Sequence, residues 1–110
     1  MNHTIATILQ DVRKTIPTKY ELGYFLTHQD RYHYILTQIA KLNLPKKAKV
    51  LEIGCYPPHL FHAFEQMGFD VYGISSKHEP IKKRNVVSLN IEQDPFPFKK
   101  QFFDLIVFSE

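Results

Sequence analysis

The amino-acid sequence predicts an α/β fold built on a parallel sheet. Three apolar runs, at residues 49–53, 70–74 and 104–108, are separated by helical and turn-like segments. The last run is apolar without alternation, which is typical of a strand covered on both faces. Repeated strand–helix–strand order indicates parallel strands with right-handed crossovers. Sheets of this kind bind ligands at the carboxyl ends of their strands.

Two helices are predicted before the first strand. Apolar residues recur at helical spacing over residues 4–16, and Pro17 stops the pattern. A second helical pattern covers residues 27–42, with Thr27 as its N-cap. The aromatic-rich residues 20–26 between them fit either a short helix or a docking loop.

The composition changes at residues 45–47, where a proline and two lysines follow the second helical pattern. We therefore divide the chain into a helical amino-terminal extension, residues 1–45, and an α/β unit, residues 46–110. The elements predicted in this unit are strands at 49–53, 70–74, 85–89 and 104–108, and a helix at 58–67 that ends at Gly68. Pro95 and Pro97 predict an extended loop before the fourth strand.

Bulk composition fits one small intracellular domain. The chain has 110 residues and a formal charge of +3, from 14 basic and 11 acidic side chains. This small excess favours solvated lysines over a nucleic-acid surface. Cys55 is the only cysteine of the sequence and cannot form an internal disulfide, which favours a reducing compartment. Residues 1–14 lack the apolar core of a signal peptide or membrane span, so we expect a cytoplasmic protein without a membrane partner.

Two segments of the α/β unit resemble a known family. Glu52-Ile53-Gly54, at the end of the first strand, resembles the front of an acidic-x-Gly-x-Gly pattern. The Pro-Phe loop at 94–98 and the Phe-Asp-Leu strand at 102–107 resemble those of type 11 methyltransferases. Together they resemble the amino-terminal half of class I S-adenosylmethionine-dependent methyltransferases. The resemblance implies a Rossmann-like sheet with the first four strands of that fold, S-adenosylmethionine as cofactor, and an acceptor that the sequence does not identify.

The resemblance places the methionine part of the cofactor at the end of the first strand. There a carboxylate such as Glu52 attracts a cationic group, and Gly54 lets the main chain approach the ligand. Cys55 and Tyr56 belong to the turn that follows, where the family usually has further glycines. Pro57 and Pro58 follow in the same turn. Either the turn is a functional variant of the family's glycine-rich turn, in which Tyr56 covers the ligand, or it marks a pocket that no longer accepts the cofactor.

Residues after the other strands complete the implied site. Ser75 stands where the family has an acidic residue that binds both ribose hydroxyls, and a serine implies weaker binding of the ribose. Asn90 matches a residue that reaches the adenine amino group, and Ile91 matches one that covers the ring. Ser109, after the fourth strand, would lie near the transferred methyl group. No catalytic base can be chosen from the sequence.

Several other side chains have two readings. In the family, an amino-terminal helical segment commonly covers the cofactor, so Arg31, Tyr32 and Tyr34 would bind the methionine carboxylate; alternatively, Tyr32 packs against the sheet and Arg31 lies in solvent. Asp104 is predicted to pair with amides at the start of its strand. The six histidines do not match the spacing of a metal motif, so no metal is expected.

Two other functions compete with the methyltransferase interpretation. A non-catalytic binding or assembly module derived from the same fold is suggested by the 56–58 turn, by Ser75 and by a sequence that covers only half of the fold. The open edge of the fourth strand would then pair with a partner or form a homodimer. Equally, the chain is expected to be a fragment of a longer protein. A nicotinamide-dependent dehydrogenase is less favoured, because Gly-x-Gly-x-x-Gly is absent and Gly54 stands alone.

Overall fold

Four parallel strands form the centre of the structure, a computed structural model that describes residues 4–109. The strands are β1 (Lys49–Ile53), β2 (Asp70–Ser75), β3 (Val86–Ser88) and β4 (Leu105–Phe108). Their order across the sheet is β3-β2-β1-β4. All three pairings, β1 with β2, β1 with β4 and β2 with β3, are parallel. The predicted α/β class is therefore confirmed, and the sheet is Rossmann-like.

Three helices accompany the sheet: α1 (Ile5–Lys14), α2 (Lys19–Ala40) and α3 (His59–Gln66). The first helix begins where the sequence predicts it, because the hydroxyl of Thr4 accepts a hydrogen bond from the amide of Thr7 at 3.1 Å. The helix α3 ends just before Gly68, the glycine predicted to terminate it, whose φ of 94° suits a residue without a Cβ atom.

The predicted start of the second helix is wrong. The structure has one helix of 22 residues that begins after Thr18 and includes the segment 20–26. The Thr18 hydroxyl accepts a hydrogen bond from the amide of Glu21 at 3.2 Å and donates one to the Glu21 carboxylate at 2.7 Å. Thr27 lies inside the helix, where its hydroxyl donates to the Gly23 carbonyl at 2.9 Å. The earlier capping pair starts the helix, and an interior glycine costs only about 1 kcal/mol.

Replacement of Thr18 by alanine is expected to lower the free energy of unfolding by about 1 kcal/mol, because the first turn of α2 loses its capping hydroxyl. Urea denaturation monitored by circular dichroism measures this loss. Thr27→Ala is the matched control, since its hydroxyl bonds to a helix-interior carbonyl and its removal should change stability little. Equal losses in the two variants would show that Thr18 does not act as a cap.

The two faces of the sheet are covered differently. On one face, the three helices pack on a buried core to which the strands contribute Val50 and Val71. The partly buried strand residues Val86, Leu105 and Val107 pack against this core. On the other face, Leu51, Ile53 and Ile74 are covered by aromatic residues of the loop before β4. Within that loop, residues 95–97 lie outside any helix, strand or turn, which agrees with the effect predicted for Pro95 and Pro97, whereas turns occupy residues 91–93 and 100–101. On β4, Ile106 and Phe108 remain 51% and 68% exposed.

Asp104 has the structural role that the sequence predicts. Its carboxylate accepts a hydrogen bond from the amide of Lys49 at 2.8 Å, and its own amide donates to the Lys49 carbonyl at 2.8 Å. These two bonds tie the chain before β4 to the start of β1. The register of β1 and β4 is thus fixed at the end opposite to the one where a ligand would bind.

Candidate functional site

A cavity of about 440 Å³ opens at the carboxyl ends of the four strands. Most of its lining comes from residues at and after the ends of β2 and β3, and β4 contributes Phe108. Ligands usually bind at this edge of open α/β sheets. Four of the residues predicted from the sequence line it: Gly54, Ser75, Asn90 and Ile91. The sheet therefore brings together residues that are far apart in the sequence.

Gly54 forms the turn between β1 and α3. Its φ of 81° lies in the left-handed region, which favours glycine. The amides of Gly54 and Cys55 both donate to the Ile74 carbonyl, at 2.9 and 3.2 Å. This double contact holds the turn against the end of β2, beside the cavity. The predicted role of Gly54 as a close approach of the main chain fits this geometry.

Glu52 lies on the helix side of the sheet and is 2% exposed. It borders a second cavity of only about 10 Å³, which also reaches Gly54, Tyr56 and Ser109. The Oε1 atom of Glu52 has no hydrogen-bond partner among the residues that the structure describes. Burial raises the pKa of this carboxyl to about 8, against the opposing effects of a Ser109 hydrogen bond and the Arg31 charge. At neutral pH the group is therefore mostly protonated.

The helix α2 closes this second cavity. Arg31 donates a hydrogen bond through Nη2 to the carbonyl of Ser109, and the Ser109 hydroxyl donates to the Gly54 carbonyl at 2.8 Å. Arg31 is thus half-buried, and the interpretation that left it in solvent is wrong. Tyr32 is buried between α2 and the neighbouring elements, as its packing interpretation predicted. Tyr34 is 65% exposed and does not line this cavity.

His59 anchors α2 to the start of α3. The Nε2 atom of this buried histidine lies 3.0 Å from the carbonyl oxygen of Glu21. Its ring packs edge-on against Phe25 and Tyr32, with centroids 5.4 and 5.8 Å apart. Burial lowers the pKa of His59 and raises that of Tyr32, so both groups stay neutral near pH 7.

Two predicted site residues use their side chains elsewhere. Cys55 is fully buried and lines neither cavity. Burial and the nearby Glu52 raise the pKa of its thiol to about 12, as befits a structural residue below the pocket. The Ser75 hydroxyl is buried and lies 2.8 Å from the hydroxyl of Ser88. Ser88 would therefore compete with a ribose for the hydrogen bond predicted for Ser75.

The turn after β3 holds Asn90 at the cavity. The side-chain Oδ1 atom of Asn90 accepts a hydrogen bond from the backbone amide of Glu92 at 3.0 Å. The backbone amide of Asn90 donates to the carboxylate of Asp94 at 2.8 Å. The side-chain oxygen therefore already has one partner, although a carbonyl oxygen accepts two. Ile91 is 42% exposed and presents an apolar surface to the cavity.

Sequence reasoning missed several residues that line the cavity. Ser76, Lys77 and His78 directly follow β2, and Phe108 is the last residue of β4. Their position after a strand end was the available signal, since their residue types match no motif. Lys77 also crosses to the neighbouring turn, where its ammonium lies 3.1 Å from the Asp94 carboxylate.

Within residues 4–109, no three histidine, cysteine, aspartate or glutamate side chains cluster so as to hold a metal ion. No helix in the described part of the chain has the length and apolar character needed to cross a membrane. No family model, curated protein or solved structure matches this chain. Fold and geometry together define a Rossmann-like α/β unit with a ligand-sized cavity at its strand ends.

Proposed function

We propose that this chain is the cofactor-binding part of an S-adenosylmethionine-dependent methyltransferase. The observation that carries the proposal is the cavity of about 440 Å³ at the strand ends. Gly54 lines both this cavity and the smaller one, which the buried carboxyl of Glu52 borders. A cavity of 300–1,000 Å³ is typical of small-molecule sites. A nucleoside with a cationic tail fits this combination, because the larger cavity is open and the Glu52 carboxyl lies at the tail end. This group is mostly protonated in the ligand-free protein and would ionise beside a cation. Its Oε1 atom has no hydrogen-bond partner among the described residues.

The adenosine part would occupy the larger cavity. Ile91 and Phe108 supply apolar surface for a base, and Asn90 supplies an amide. The ribose would lie at the end of β2. Because the Ser75 hydroxyl already bonds to Ser88, we expect the ribose to be held more weakly than by a carboxylate.

The methionine part would lie between Gly54 and α2. Glu52 would attract its ammonium group, and Ser109 and Tyr56 would surround the chain. The cavity there is only about 10 Å³, so the Tyr56 turn or α2 must move before the tail enters. The bound cofactor would supply an activated methyl group. The protein would contribute positioning and a site from which water is excluded.

Calorimetric titration with S-adenosylmethionine and S-adenosylhomocysteine tests this proposal. We expect binding by the wild-type chain and at least ~30-fold weaker binding by Gly54→Leu, equivalent to ~2 kcal/mol, because the side chain would obstruct the ligand. Gly68→Leu is the matched control: it imposes a similar backbone strain, at a φ of 94°, far from the cavity. Equal effects of the two variants would contradict a site at Gly54.

A non-catalytic assembly module is the second candidate. It is favoured by the exposed side chains of Ile106 and Phe108 on the edge strand β4, since an uncovered apolar edge is a template for pairing. The same titration separates the two functions. Absence of binding at millimolar ligand, by a wild-type chain shown to be folded, would favour the module.

A further inference from the structure

The end of β2 lacks the group that usually holds a ribose. In nucleotide-binding α/β sheets, a carboxylate there accepts hydrogen bonds from the ribose hydroxyls, whereas a cation there accommodates a ribose phosphate. This chain has Ser75 at the position, with its hydroxyl bonded to Ser88. Residues 75–78 contain no carboxylate, and the next one, Glu79, does not line the cavity.

The loop that follows carries an ammonium group and an imidazole instead. Lys77 and His78 both line the cavity. A turn fixes them there, because the Ser76 hydroxyl accepts from the amide of His78 at 3.1 Å and the Ser76 carbonyl accepts from the amide of Glu79 at 3.0 Å. An ammonium and an imidazole on one turn suit a phosphate oxygen.

Asp94 does not remove this capacity. Its carboxylate lies 3.1 Å from the Lys77 ammonium and also accepts from the amide of Asn90 at 2.8 Å. An ammonium has three donors, so Lys77 can hold a phosphate while it keeps Asp94. The side chain of Lys77 is 61% exposed and therefore free to reorient. Glu92 also lines the cavity, from the same turn as Asp94, so the phosphate would have to lie on the side of the cavity formed by residues 75–78.

We infer that Ser76, Lys77 and His78 form an anion subsite, so that nucleotides with a phosphate on the 2′ or 3′ position of the ribose bind in this cavity. The inference rests on the proposed function only in taking the cavity to hold a nucleoside. Such nucleotides would compete with S-adenosylmethionine for the same place.

Direct titrations with adenosine and with adenosine 2′-, 3′- and 5′-monophosphate test the subsite. We expect the 2′ or the 3′ compound to bind at least 10-fold more tightly than adenosine and than the 5′ compound, which carries the same phosphate elsewhere. Lys77→Gln should remove this gain, and added salt should reduce it. Lys82→Gln, a cation on a different cavity, should leave it unchanged.

The inference is overturned if no compound binds, if the three monophosphates gain equally, or if Lys77→Gln and Lys82→Gln behave alike. Its failure is distinguishable from failure of the methyltransferase proposal, because these titrations contain no S-adenosylmethionine. A chain that binds the phosphorylated nucleotide but not the cofactor would keep the subsite and lose the proposed activity. The reverse result would keep the activity and lose the subsite.

Discussion

At pH 8, the Glu52→Gln variant is expected to be more stable than the wild-type chain by on the order of 4 kcal/mol. Glu52 is 2% exposed, and its Oε1 atom has no partner within the described residues. Burial raises the pKa of this carboxyl from 4.5 to about 8. Ionising it in the folded state is therefore costly, and glutamine keeps the shape without the charge.

The sign of the pH dependence follows from proton binding. Between pH 4.5 and pH 8 the folded protein keeps the Glu52 proton while the unfolded chain releases it. The folded state then binds more protons, so the stability of the wild-type chain falls as the pH rises through this window. Below pH 4.5 both states are protonated, and the glutamine variant should differ little from wild type.

Urea denaturation at pH 4.5, 6 and 8 measures this difference. Glu92→Gln is the matched control, because Glu92 is exposed and its replacement should not flatten the pH dependence. A constant difference between Glu52→Gln and wild type at all three pH values, or a less stable variant at pH 8, would contradict the buried-carboxyl account.

The same variant separates stability from function. A ligand ammonium beside Glu52 would stabilise the carboxylate and lower its pKa, so binding of the cofactor near pH 7 should release about one proton. Calorimetry in buffers of different ionisation enthalpy counts that proton. Glu52→Gln should release none and bind at least 10-fold more weakly. A residue that lowers the stability of the fold and increases the affinity for a ligand is typical of a functional site.

Local signals in the sequence predicted most of the fold. Apolar runs located the strands, Gly68 located the end of α3, and Asp104 was correctly assigned to the start of β4. Each depends on residues close in sequence or on a rule about strand ends. The start of α2 was missed because the Thr18 cap lies before the aromatic segment 20–26. Residue propensities alone do not decide whether that segment is a helix or a loop.

The site was predictable only in part, for a physical reason. Strand ends converge in any parallel sheet, so Gly54 and Asn90 could be placed together from the sequence. The contact of Arg31 with Ser109 joins residues 78 positions apart. The hydrophobic periodicity of the sequence contains no signal for a contact between residues so far apart. Similarly, the pairing of the Ser75 hydroxyl with Ser88 depends on the register of β2 and β3.

Replacement of Gly73 by alanine is expected to lower the free energy of unfolding by about 2–3 kcal/mol. A Cβ atom at this position of β2 would lie 2.7 Å from the Sγ atom of Cys55 and 3.1 Å from the ring of Phe61. Both neighbours are buried, so neither can move away without displacing the core. Gly23→Ala is the control, since nothing lies within 4 Å of its Cβ position, and it should stabilise α2 by up to ~1 kcal/mol.

A double-mutant cycle shows whether the Cys55 contact causes the loss. In a Cys55→Ala background the sulfur is gone, so Gly73→Ala should cost at least ~1 kcal/mol less than in wild type. Additive losses would contradict this account. Because Cys55 follows Gly54 directly, displacing the sulfur would also shift the turn beside the cavity. Gly73→Ala should therefore weaken ligand binding, although Gly73 does not line the cavity. Gly23→Ala should leave the affinity unchanged.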